Sequence, residues 1–244
     1  MGGAAALSLC VSPVTRLLEH LWPPTREEEL SELRFLHDQV LKDPETALSL
    51  IQREQGRLTA QLTLYIRELR KALSGNGRPA YDAIHAAFQS VAREIDSYTT
   101  EIFQQEITAE DSERALNTQN RQKLLEGLEE VIRGLVVDLD RWVRVSGGGS
   151  LRDSFVEGID ALLMTACDAA DSSRMEDVEV LVNITRDRGE LLREMRQSYL
   201  AEESSLTFEA RQLFFRVTGH FENAVWLLGR IAQLKRQQLL SEGR

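Results

Sequence analysis

The chain has 244 residues, of which 42% are hydrophobic and 28% charged, and carries a formal net charge of −10. This describes a folded polypeptide long enough to bury a sizeable core, not a disordered tail or a multi-span membrane protein. The acidic balance excludes a nucleic-acid binder, which needs a basic face for phosphates, and Cys10 and Cys167 are too few for a disulfide framework or a zinc site.

Gly3 to Ser12 is apolar but only about half the ~20 residues that cross a bilayer. No Lys or Arg precedes it, as a signal peptide requires, and Ala6 stands where a myristoylation signal wants Ser or Thr. It reads either as an ordinary buried segment or as the last turns of a membrane helix. Val14 to Trp22 is a short amphipathic segment stopped by Pro23-Pro24. Arg26 to Leu41 predicts a charged helix with a narrow seam of Leu30, Leu33 and Val40.

Asp43-Pro44 is an N-cap followed by proline at the first helical position. The helix it opens places Leu48, Ile51, Leu58, Leu62, Ile66, Leu69 and Leu73 on one stripe. Gly75 to Pro79 is a turn, and Pro79 is the last proline of the chain. From Ala80 onward the apolar period is helical almost throughout. Tyr81, Ile84, Phe88, Val91, Ile95, Tyr98 and Ile102 form the stripe of a helix from about Ala80 to Ile107. Thr108 with Asp111 is a capping signal for the next, with Leu116, Leu124, Leu128, Val131, Leu135, Leu139 and Trp142.

Ser146 to Ser150, with three glycines at Gly147–Gly149, is the candidate hinge. Beyond it a helix spans Leu151 to Ala170, and Ser173 with Glu176 forms a second capping box opening a helix through Leu200. A final helix from about Leu206 to Leu240 presents Leu213, Val217, Phe221, Ala224, Leu228 and Ile231. Arg121-Gln122-Lys123-Leu124-Leu125 parallels Arg211-Gln212-Leu213-Phe214-Phe215, a faint sign of duplication. The fold expected is all-α: short N-terminal helices, then two tandem antiparallel three-helix bundles.

None of the four histidines, His20, His37, His85 and His220, follows a Glu by three positions, as an inward-facing di-iron site requires. Asp82 and His85 have a comparable spacing once, which gives too few ligands, so the pair reads as a solvated Asp beside a half-buried His. No glycine-rich phosphate loop and no nucleophile–base pair stands out, so no catalytic, cofactor or metal residue is expected. Gly189, costly inside a helix, points to close packing or to contact with a partner, and Trp226 is expected to fill the core or the junction between bundles.

Three stretches, Val156 to Leu163, Arg186 to Leu191 and Phe221 to Leu228, resemble the C-terminal domain of bacterial sodium-dependent phosphate cotransporters. That domain is similar to PhoU, a helical regulator of phosphate uptake built from two three-helix bundles. Leu36, Asp43-Pro44, Ala47-Leu48, Glu54 and Arg57 resemble the entry to the same domain, and the likeness runs over roughly residues 25 to 240. PhoU proteins carry Glu-x-x-x-Asp metal motifs on their third and sixth helices. Glu129 and Glu222 align with the first positions, but Arg133 and Trp226 occupy the second. An arginine repels a cation and an indole offers no lone pair, so the metal site is not carried over.

The resemblance implies that residues 1–24 are the end of a membrane helix or a membrane-proximal linker, residues 25–146 one bundle, 147–149 a hinge and 150–244 the second bundle. Hydrophobic spans upstream of Met1, in the same or an adjacent reading frame, would support that junction. The implied function is regulation of phosphate transport by protein contact on the cytoplasmic side of the membrane, without catalysis or cofactor. The implied partner is a membrane-embedded phosphate transporter domain, with a second copy of the chain also allowed. The competing expectations are a stand-alone helical adaptor unrelated to phosphate and a metal-dependent phosphate sensor using Glu129 and Glu222.

Overall fold

A computed structural model describes residues 26–146, 149–186, 193, 196–197 and 207–242. Expectations for residues 1–25, for Gly147–Gly148 and for Gly189 lie outside the described residues. The described elements are all helical, in the order α1 (Arg26–Ser31), a 3-10 turn (Asp38–Lys42), α2 (Pro44–Leu73), α3 (Tyr81–Phe103), α4 (Ala109–Ser146), α5 (Gly149–Asp171), α6 (Met175–Thr185) and α7 (Phe208–Glu242). No helix among the described residues is long and apolar enough to cross a membrane.

The expected stripes are the buried ones. Leu48, Ile51, Leu58, Leu62, Ile66 and Leu69 of α2 are wholly buried, and all seven residues of the α3 stripe are buried too. Proline at the first turn opens α2 where its missing N–H costs no hydrogen bond. Gly75 and Gly77 adopt positive φ, 73° and 106°, in the turn that reverses the chain into α3. Thr108 Oγ1 accepts the Asp111 N–H at 3.0 Å and donates to its carboxylate at 2.8 Å, fixing the start of α4.

Four expectations are corrected. The single helix Arg26–Leu41 is broken, because α2 supplies partners for the intervening backbone. The buried Glu54 carboxylate accepts the N–H groups of Arg34 and Phe35 at 2.5 and 2.7 Å, and Arg57 donates to the carbonyls of Leu30 and Glu32. Leu116 is exposed and Ala115 takes the inward position, because the α4 stripe runs one residue out of the expected phase there. The helix expected from Ser173 through Leu200 is interrupted: α6 spans Met175 to Thr185 and Arg186 just beyond it is extended, and Ser172, not Ser173, accepts the Arg174 N–H at its start. Trp226 faces outward, as described below.

Contacts fix the topology. On α2, Gln55 meets Thr118 and Tyr65 meets Glu129, so α2 and α4 run parallel. Helix α3 returns antiparallel between them, pairing Asp82 with Arg133 and Asp96 with Lys123. Helix α5 lies antiparallel on the other side of α2, with Asp160 on Arg70. Helices α4 and α7 form the most extensive pair, antiparallel, and α6 packs along α7 and α5. A single hydrophobic cluster runs through all of them, from Leu36 to Ala232.

Candidate functional site

Of the side chains that the sequence set apart for metal chemistry, Glu129, Arg133, Asp82 and His85 meet where the start of α3 packs against α2 and α4, and Glu222 does not join them. Glu129 is fully buried there, on the inward face of α4. Its carboxylate accepts the Tyr65 O–H from α2 and lies 3.0 and 3.2 Å from Nδ1 of His85 on α3. A carboxylate accepts, so Nδ1 is the donor in this contact. Burial first, and then the hydrogen bond to the Glu129 carboxylate and its charge, push the Tyr65 phenol well above its ordinary range. Tyr65 therefore stays a donor.

Arg133, one turn beyond Glu129, takes a different partner. Its guanidinium donates to Asp82 at 2.9 Å, a bond that raises the Arg133 pKa. The Asp82–His85 pair is thus divided, with Asp82 on Arg133 and His85 on Glu129. His85 is a third exposed, so the half-buried histidine expected from sequence is present, but with a carboxylate behind its ring. Tyr81 stands beside Tyr65 at a ring separation of 6.1 Å, its hydroxyl buried without a partner. Burial, with the charges of Asp140 and Glu68 adding to it, raises that phenol as well.

This arrangement orients one imidazole, and among the described residues no Ser, Thr or Cys is hydrogen-bonded to it. Its evident work is to tie three helices together through one carboxylate. Among the described residues no group of three or more His, Cys, Asp or Glu side chains is disposed to hold a metal ion. Glu222, the other aligned acid, is on α7 and pairs with Arg196 at 2.6 Å, while Arg196 Nε donates to the buried Thr218 at 2.9 Å.

A third cluster was not foreseen. Asp138 of α4, nearly buried, receives Arg216 and lies 3.3 Å from His220 Nε2, both on α7. His220 lies over Gly134, where an added Cβ would come within 2.7 Å of the ring. The available signal was a glycine inside a long helix, opposite an Arg/His pair one turn apart on another helix.

Trp226 is 61% exposed, not buried in the core. With Phe208 and Phe215 it falls on one line along the outer face of α7, since steps of seven and eleven residues return to nearly the same angle. Phe208 and Phe215 are exposed too, and the opposite face of α7 supplies Leu213, Phe214, Val217 and Phe221 to the core. Comparison of the chain with protein-family models, with curated proteins and with solved structures found no match.

Proposed function

We propose that this chain is a non-catalytic regulatory domain of phosphate uptake. It would work by contact with a membrane-embedded sodium/phosphate cotransporter, on the cytoplasmic side of the membrane. The resemblance of Val156–Leu163 and Phe221–Leu228 to the PhoU-like domain of such transporters supplies the partner. The observation that carries the reading is the exposed aromatic line Phe208, Phe215 and Trp226 on α7. Exposed aromatics on a rigid helix give large contact area at small cost in side-chain entropy, and tryptophan is enriched among residues that dominate interfaces. A domain without chemistry regulates a transporter only if it touches two transporter conformations differently. The long α7, with one face in the core and one outside, is suited to that contact.

Tagged chain incubated with detergent-solubilised membranes of its source organism should retain a sodium/phosphate cotransporter, identified by mass spectrometry. The double variant Phe215→Ala/Trp226→Ala should release it while keeping its helical content. A reproducible set of soluble partners containing no transporter would overturn the reading and favour the stand-alone adaptor.

A further inference from the structure

Away from the Glu129 cluster, the apolar stripes of α2 and α4 are interrupted at the same level. Between Ile51 and Leu58, α2 buries Glu54 and Gln55; ahead of Leu125, α4 buries Thr118, Arg121 and Gln122. The C-terminal end of α7 passes this level with Lys235, Gln238 and Ser241, and the three helices enclose a cavity of about 320 Å³. Its floor is Gln55, Thr118 and Arg121, which are 0, 3 and 4% exposed.

Gln55 Nε2 is held by the Thr118 carbonyl at 2.9 Å, and this leaves Oε1 without a partner. Thr118 Oγ1, Arg121 Nε and Arg114 Nε likewise lack one, so more than half of the buried partnerless side-chain atoms among the described residues line this one cavity. Burial lowers the Arg121 pKa to about 10, with the Asp171 charge offsetting only part of the effect. The guanidinium is still a cation at neutral pH, and an unpaired buried cation is costly unless something completes it. Arg114 at the wall is held loosely, by Ser49 at 3.4 Å, Glu45 at 3.8 Å and Asp111 at 3.9 Å. Three carboxylates, Glu45, Glu110 and Glu113, are exposed at the rim.

We propose that this cavity binds a small molecule carrying an oxyanion group, phosphate or carboxylate, and at least one hydrogen-bond donor. Arg121 faces the oxyanion from the floor, with Thr118 donating beside it and Arg114 moving in from the wall. Gln55 Oε1 accepts from a hydroxyl or ammonium of the ligand. The acidic rim repels polyanions, so a nucleotide triphosphate is excluded while a singly or doubly charged anion with a donor is admitted. The inference holds whether or not the chain serves a transporter, since it uses none of the α7 aromatics.

Calorimetric titration of the full chain at fixed ionic strength, with inorganic phosphate and separately with malate, tests it. One probe should saturate a single site with Kd below about 1 mM; phosphate or malate as the binder identifies which oxyanion is used. Arg121→Met should weaken that binding by about tenfold or more, and Thr118→Val, which keeps the side-chain shape, by several-fold. Saturation by neither probe up to about 10 mM would leave a merely water-filled polar cavity and overturn the proposal. So would undiminished binding by both variants. If Arg121→Met fails to fold, Thr118→Val decides alone.

Discussion

Glu129 shows how one buried residue can tie three helices together. Its carboxylate is removed from water and compensated by the Tyr65 hydroxyl and the His85 ring. Tyr65→Phe takes away one donor and leaves the buried charge under-satisfied, which should cost about 1–3 kcal/mol in urea denaturation. Glu129→Leu orphans the hydroxyl and the imidazole together, so in the Tyr65→Phe background it should cost less than it does alone. Additivity within about 0.5 kcal/mol would mean that the two residues do not act as a pair. Gly134 is a second test at this scale. Alanine in a helix interior is favoured over glycine by ~1 kcal/mol, but a methyl here meets the His220 ring at 2.7 Å. Gly134→Ala should therefore stabilise the His220→Ala background by about that amount and the wild type by clearly less. Equal gains in both backgrounds would show that the ring moves aside freely.

Helices α2 and α4 both begin where sequence chemistry put their caps, but only at α4 does the capping side chain reach the backbone. Thr108 does so, and Thr108→Ala should cost about 1 kcal/mol and lower the melting temperature. Asp43 precedes α2 but its carboxylate engages the Thr46 hydroxyl instead of a backbone N–H, so Asp43→Ala should cost less than Thr108→Ala. The reverse order in paired melting curves would contradict this difference between the two helix starts. The long amphipathic stripes were legible because period alone decides which face of a helix is buried. The break at Ser31 was not, because it depends on Glu54 and Arg57, more than twenty positions away, competing for backbone groups. The interruptions at Gln55 and Thr118–Gln122 were visible as gaps in two stripes. That the gaps face each other required the parallel pairing of α2 and α4, which no local pattern specifies. Trp226 escaped for a related reason: hydrophobicity marks a residue for burial, but only helix phase within the packed molecule tells whether a core or solvent lies beyond it.

The glycines at Gly147–Gly149 divide the sequence, yet the apolar core passes across that division. Trp142, near the end of α4, is fully buried and packs at 6.2 Å edge-on to Phe155 of α5 and at 5.6 Å to Phe214 of α7. Along the same interface Asp138 receives Arg216, and Leu227 lies over Gly127. A fragment of residues 26–146 would expose this whole side of α4, and the lost burial scales with apolar area. Such a fragment should therefore unfold at a lower urea concentration than the complete chain. The complete chain should lose helix and core packing in one step. With Trp22→Phe and Trp226→Phe in place, Trp142 is the remaining tryptophan and reports directly on contact between the segments before and after the glycines. Its fluorescence transition in urea should coincide with the loss of far-ultraviolet circular dichroism. If Trp142 becomes exposed while most helix persists, the segments separate before they unfold and the glycines act as a hinge between independent units. Coincident curves, together with a destabilised fragment, would mean that the second segment holds the first one in place, so a contact made on α7 is felt in the packing around Trp142.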